Sequence, residues 1–121
     1  MLKNNLYTLS DIIFEDGDLR TFVKLNPSHP IFEGHFPGNP ILPGASIVQL
    51  IKDVLETHLN ISLQLTKAQD IKFLASIIPS QGKLIQLQIK LTHTDELFHA
   101  AATIFEDDKL LAKFKGDFVN H

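Results

Sequence analysis

Between Ala45 and about Leu59 the apolar residues Ile47, Leu50, Ile51, Val54 and Leu55 recur at helical spacing, with Lys52, Asp53 and Glu56 between them. This pattern predicts one long helix. Asn60 is a suitable stop, because asparagine tolerates the left-handed conformation in which helices end. Before the helix, residues 7–14 and 19–25 are apolar-rich runs joined by Glu15-Asp16-Gly17-Asp18, which reads as a β-hairpin. After it, the period becomes two: Leu84, Gln86, Gln88 and Lys90 alternate with Ile85, Leu87, Ile89 and Leu91. Thr94-Asp95-Glu96 then turns, 97–105 returns, Asp107-Asp108 turns again, and 109–119 closes a meander. A hairpin, a long helix and several antiparallel strands predict an α+β fold with one antiparallel β-sheet wrapped over one central α-helix.

Composition narrows the classes of function. The 121 residues, 44% of them hydrophobic, suit a single domain over 1–121 with a substantial core. No linker, repeat or low-complexity stretch divides them. Formal charge is −3 and the 11 Lys and Arg are scattered, which argues against nucleic acid as a partner. Cysteine is absent, so disulfides, thiolate metal sites and a cysteine nucleophile are excluded together. The start Met-Leu-Lys-Asn-Asn-Leu-Tyr-Thr-Leu-Ser has no continuous apolar core, and no window approaches the roughly 18 apolar residues of a membrane span. The expectation is a soluble, cytoplasmic protein.

Chemistry concentrates just before the predicted helix. Residues 29–44 read His-Pro-Ile-Phe-Glu-Gly-His-Phe-Pro-Gly-Asn-Pro-Ile-Leu-Pro-Gly. Pro30, Pro37, Pro40 and Pro43 restrict the backbone on both sides of each ring, while Gly34, Gly38 and Gly44 supply unusual φ or close approach to a ligand. A solvated connector would not need Ile31, Phe32, Phe36, Ile41 and Leu42. This reads as a loop held in one shape that carries a titratable imidazole, His35. The competing reading is a buried histidine satisfied by backbone.

His35-Phe36-Pro37-Gly38, Pro40 and Pro43-Gly44 resemble the G-H-F-P-G-x-P-x-x-P-G signature of the hot-dog-fold 3-hydroxyacyl-acyl-carrier-protein dehydratases of fatty-acid synthesis. A looser likeness continues through Asp70-Ile71-Lys72-Phe73 and Ile77-Ile78-Pro79 to Gly82. The resemblance implies a hot-dog fold, a homodimer or a larger assembly of dimers joined through sheet edges, and no cofactor. It implies a substrate carried as a thioester on acyl carrier protein or coenzyme A. It assigns His35 to removing the C2 proton, a task suited to an imidazole titrating near working pH. The Ile41 carbonyl would orient the imidazole, and Phe36, Pro37, Gly38 and Pro43 would shape the substrate loop. Gly44, at the helix start, would present its N–H to the thioester oxygen as negative charge develops there.

One departure from the pattern bears on mechanism. Fourteen residues after the catalytic histidine those dehydratases carry Glu or Asp, and here that position is Gln49. An amide can hold a hydroxyl but cannot donate a proton as a carboxylic acid does. Three solutions follow. His35 returns the proton itself while Gln49 orients the hydroxyl; Asp53, one helical turn on, supplies the acid; or the pocket only binds acyl groups. Beside Lys52, Asp53 is expected to be an exposed helix carboxylate rather than that acid. The functional alternatives to dehydration are a hot-dog acyl thioesterase and a non-catalytic acyl-binding subunit.

The remaining histidines carry less. His29, Glu33 and His35 lack the spacing of a metal set, so no metal is expected. His58 is explained by the helix C-terminus. His93 and His99 flank a turn and are expected at the surface.

Overall fold

A computed structural model describes residues 6–34, 38, 40–79 and 83–121 of the chain. His35, Phe36, Pro37 and Gly82, all singled out in the sequence, lie outside the described residues. The elements run β1 (Tyr7–Leu9), β2 (Ile13–Glu15), β3 (Asp18–Leu25), the single turn α1 (Ile31–Gly34), the long helix α2 (Gly44–Leu59), β4 (Leu63–Phe73), β5 (Leu84–Thr94), β6 (Leu97–Glu106) and β7 (Lys109–Asn120). The strands form one sheet in the order β1-β3-β5-β6-β7-β4, with β2 also on β3 and every pairing antiparallel.

Helix α2 lies in the concavity of this sheet. Ile47, Leu50, Ile51, Val54 and Leu55 are buried against Leu19 and Val23 of β3, Leu87 and Ile89 of β5, Ala102 and Ile104 of β6, and Phe114 and Phe118 of β7, all members of one core. Each large aliphatic side chain buried in this way contributes roughly 1.5–3 kcal/mol. The helix ends where its sequence predicts: Asn60 adopts φ 56°, and its N–H donates to the Glu56 carbonyl. The strand periodicity holds as well. Along β3 the residues Leu19, Thr21, Val23 and Leu25 point inward, while Asp18, Arg20, Phe22 and Lys24 point out.

The first hairpin differs from its expected form. The run 7–14 is two short strands, both paired with β3 and separated at 10–12. Ser10 causes the interruption. Its N–H donates to the Phe22 carbonyl (2.9 Å), but the Phe22 N–H donates back to the Ser10 hydroxyl (2.9 Å) instead of a carbonyl. A side chain has replaced one rung of the ladder. The turn itself is tighter than expected, with Glu15 still in β2 and only Asp16 (φ 53°) and Gly17 (φ 82°) between the strands. Two successive positive φ values are the signature of a two-residue hairpin turn whose twist suits the strands it joins.

Strand β4 did not show in the periodicity. Its register shifts between Leu65 and Lys67 and again between Ala68 and Asp70, and each shift reverses which residues face inward. It is also an edge strand, with Leu63 its one fully buried residue. No alternation survives for a sequence pattern to reveal. Among the described residues, no helix is long and apolar enough to cross a membrane.

Candidate active site

The loop leading into α2 is pinned to the core at Leu42, which is buried and whose N–H donates to the Ile77 carbonyl (2.8 Å). Ile41 and Pro43 flank it, both half-buried. Gly38 adopts φ 73°, in the left-handed region that glycine occupies without steric cost and most other residues avoid. Pro43 caps the helix in an extended conformation, with φ −62° and ψ 147°. The N–H groups of Ser46 and Ile47 both donate to its carbonyl, at 3.0 and 3.3 Å. That leaves Gly44 and Ala45 as the helix-start donors without an intrahelical acceptor, at the end where the macrodipole favours negative charge.

Gly44 also answers a packing demand. A Cβ built there would lie 2.9 Å from Cζ and 3.2 Å from Cε2 of Phe73, whose ring reaches over the helix start from the end of β4. Beyond it a narrow apolar crevice runs between Ile47, Val48 and Ile51 of α2 and Ile71, Phe73 and Phe114 of the sheet, with no room for a water molecule. The helix start and an apolar crevice thus share Phe73 as a boundary.

One turn along α2, the expectation for Asp53 is corrected. Asp53 is 1% exposed and lies inside, not beside Lys52 at the surface. Its Oδ1 accepts a hydrogen bond from Gln49 Nε2 (2.8 Å), and its Oδ2 accepts one from the hydroxyl of Tyr7 on β1. The apolar residues of α2 define only part of its circumference, but the sheet wraps further, and β1 covers the face carrying Asp53. A buried carboxylate is tolerated only when hydrogen-bonded, and here both oxygens are engaged. Gln49 is half-buried and borders an open cavity of about 330 Å³ together with Ala45, Val48, Lys52, Leu65 and Phe118.

Tyr7, 2% exposed, is a member of this group that the motif could not supply. Burial first, then the hydrogen bond and the charge of Asp53, push its hydroxyl well above the usual tyrosine range. Tyr7 therefore remains a donor at every working pH. In the unfolded chain it would ionise near its ordinary value of 10.0. The folded-state pKa is raised, so this contribution to stability is fully present below pH 10.0 and is lost as pH rises above it. Wild type is expected to lose stability more steeply than Tyr7→Phe in chemical denaturation above pH 10.0. Equal slopes would contradict the buried hydrogen bond.

The other histidines fall into several environments. His29 accepts the Ile31 N–H at Nδ1 (3.0 Å), which caps α1, while Glu33 is exposed. His58 lies against Phe14, with ring centroids 4.6 Å apart, and His93 stacks on Phe98 at 4.1 Å. His99 is partly exposed, as expected, but it is not free. The β6–β7 register sets it opposite Asp117, and its Nδ1 lies 2.7 Å from Asp117 Oδ1 and its Nε2 2.6 Å from Thr94 Oγ1. It is half-buried in a polar network rather than free at the surface.

The model of the ApeI-like family, the ApeI dehydratases, matches residues 13–115. The chain belongs to this family of hot-dog dehydratases. It is 25% identical over 105 residues to the 3-hydroxyacyl-acyl-carrier-protein dehydratase FabZ of Lawsonia intracellularis, covering 78% of this chain and 68% of that protein. With FabZ of Ehrlichia chaffeensis it shares 34% identity over 71 residues, covering 54% of this chain and only 48% of that relative. The fold is matched by the dehydratase heterocomplex ApeI:P from Xenorhabdus doucetiae, with a TM-score of 0.76 and 19% identity over 94% of this chain and 98% of that one.

Proposed function

We propose that this protein removes water from a 3-hydroxyacyl thioester to give the trans-2-enoyl thioester. The observation that carries the reading is membership of the ApeI dehydratase family across 13–115, the span that holds His35, Gly44 and Gln49. In this reading His35 takes the C2 proton, and the Gly44 N–H stabilises the enolate-like oxygen of the thioester. Such a preorganised donor contributes about 3 kcal/mol. Gln49 holds the C3 hydroxyl, and His35, protonated in the first step, returns the proton as that hydroxyl departs as water. Asp53 is a poor candidate for the acid, because both its oxygens accept hydrogen bonds inside the fold. The same engagement argues against a thioesterase that would use Asp53 to activate water. The glutamine at position 49 favours one second reading, an acyl-binding subunit without turnover.

The chain acts as a dimer in this proposal. Strand β4 is a sheet edge and carries Ile71 (40% exposed) and Phe73 (55% exposed), with Leu74 following it, also exposed. An edge strand with unpaired backbone groups and exposed apolar side chains at one end is a ready site for edge-to-edge pairing with a second copy.

Mass spectrometry of a panel of 3-hydroxyacyl carrier-protein and coenzyme A thioesters incubated with the protein separates the readings. Loss of water is expected. Loss of the acyl group would establish a thioesterase, and unchanged thioesters that stay bound would establish a binding subunit. Gly44→Ala is expected to lower turnover about tenfold or more by crowding the approach to the N–H. Its melting temperature should change little, since the Phe73 ring that a Cβ would meet is half exposed and can swing aside. Unaltered kinetics would remove Gly44 from the site.

A further inference from the structure

We infer that Tyr7 and Asp53 form a buried clamp that fixes the Gln49 side-chain amide in one orientation, with Nε2 turned inward and Oε1 presented to the ligand, so that the site selects acyl chains bearing a hydroxyl at C3. The inference rests on the dehydratase reading for the identity of the ligand.

The orientation is dictated by hydrogen-bond chemistry. An amide N–H donates and a carboxylate oxygen accepts, so the atom of Gln49 that lies 2.8 Å from Asp53 Oδ1 is the donor, Nε2. Were the amide turned over, two acceptor oxygens would face each other in a buried position. Tyr7 holds the carboxylate in place from the other side: its hydroxyl has a single proton, which goes to Asp53 Oδ2. The tyrosine and the carboxylate are 2% and 1% exposed, so water cannot substitute for either partner. Helical spacing of four residues holds Gln49 directly over Asp53.

The consequence lies on the open side of the amide. Oε1 shares its carbon with Nε2 and so points away from Asp53, and no donor among the described residues bonds to it. Gln49 lines the cavity of about 330 Å³, where a ligand donor could reach that oxygen. A C3 hydroxyl is such a donor. A saturated or enoyl chain has none at C3. Gln49 would therefore favour substrate over product, which eases release after water is lost.

Tyr7 and Asp53 are positioning residues here, acting only through Gln49, and that is what the test addresses. Affinities would be measured by calorimetry for a pair of pantetheine amides of equal length, one 3-hydroxyacyl and one saturated; the amide linkage suppresses removal of the C2 proton. Wild type is expected to prefer the hydroxylated ligand by about tenfold, the equivalent of one hydrogen bond. Tyr7→Phe should erode that preference while leaving the saturated ligand's affinity unchanged. Gln49→Met should abolish it, and Tyr7→Phe added to Gln49→Met should have no further effect. A parallel loss of both affinities in Tyr7→Phe would overturn the clamp, as would an effect of Tyr7→Phe on hydroxyl preference that persists in the Gln49→Met background. Absence of any preference in wild type, or failure of both ligands to bind, would overturn it too. If the preference is present and clamp-dependent but the mass-spectrometry panel shows no loss of water, dehydration falls while the clamp stands.

Discussion

His35→Ala is expected to lower dehydration by about 10²–10⁴-fold, the span that a positioned general acid or base contributes, with the circular dichroism spectrum and the melting temperature close to wild type. The expectation sits at the upper end because this one imidazole is assigned two transfers, first from C2 and then to the departing hydroxyl. Gln49 offers no proton, and Asp53 is engaged by Tyr7 and Gln49, so neither is poised to take over the second step. Single-turnover kinetics with substrate in excess of its dissociation constant would read the chemical step directly. Full turnover in the variant would remove His35 from the mechanism; a variant that unfolds would make the histidine a structural residue of the loop.

The two sides of the site were unequally legible in the sequence. The loop announces itself because proline and glycine act locally: Gly38 at φ 73° and Pro43 as the helix cap do what their residue types do anywhere. Helix α2 and strands β5 and β6 follow from apolar spacing, since each has a regular buried face, and β7 follows over most of its length, with Leu111 and Ala112 both buried where its register with β6 shifts. Strand β4 breaks that parity twice and vanishes from the pattern. The Gln49–Asp53 pairing was readable as a four-residue helical spacing, but the burial of Asp53 was not, because it depends on how far a sheet built from distant segments curls around the helix. Tyr7 also carries a signal in the sequence. It is the single tyrosine of the chain, it lies in an apolar run, and a tyrosine buried there needs a partner for its hydroxyl. Asp53, the one carboxylate among the buried residues of the helix, is the natural candidate.

That buried pair changes what a restored acid would do. Gln49→Glu places a carboxyl where Nε2 now stands, 2.8 Å from Asp53 Oδ1. Two carboxylates at that separation in a buried site cannot both ionise, so they hold one proton between them, and the pair titrates with one apparent pKa raised above the ordinary carboxyl range. The shared proton is the acid that the resemblance assigns to this position and that wild type lacks. Turnover is therefore expected to rise on the order of 10²-fold at mildly acidic pH. The gain should fade as pH climbs through the raised value and the pair gives up its proton. Stability should follow the same titration with a cost: the unfolded chain loses this proton near the ordinary carboxyl pKa while the folded chain retains it. The variant should thus be less stable than wild type at neutral pH, with the gap closing as pH falls toward that ordinary value. Adding Asp53→Asn removes the partner charge and should move the limb of the rate profile to lower pH. A Gln49→Glu variant whose rate is unchanged across the acidic range would show that position 49 does not reach the leaving hydroxyl, and the hydroxyl would then have to be held elsewhere.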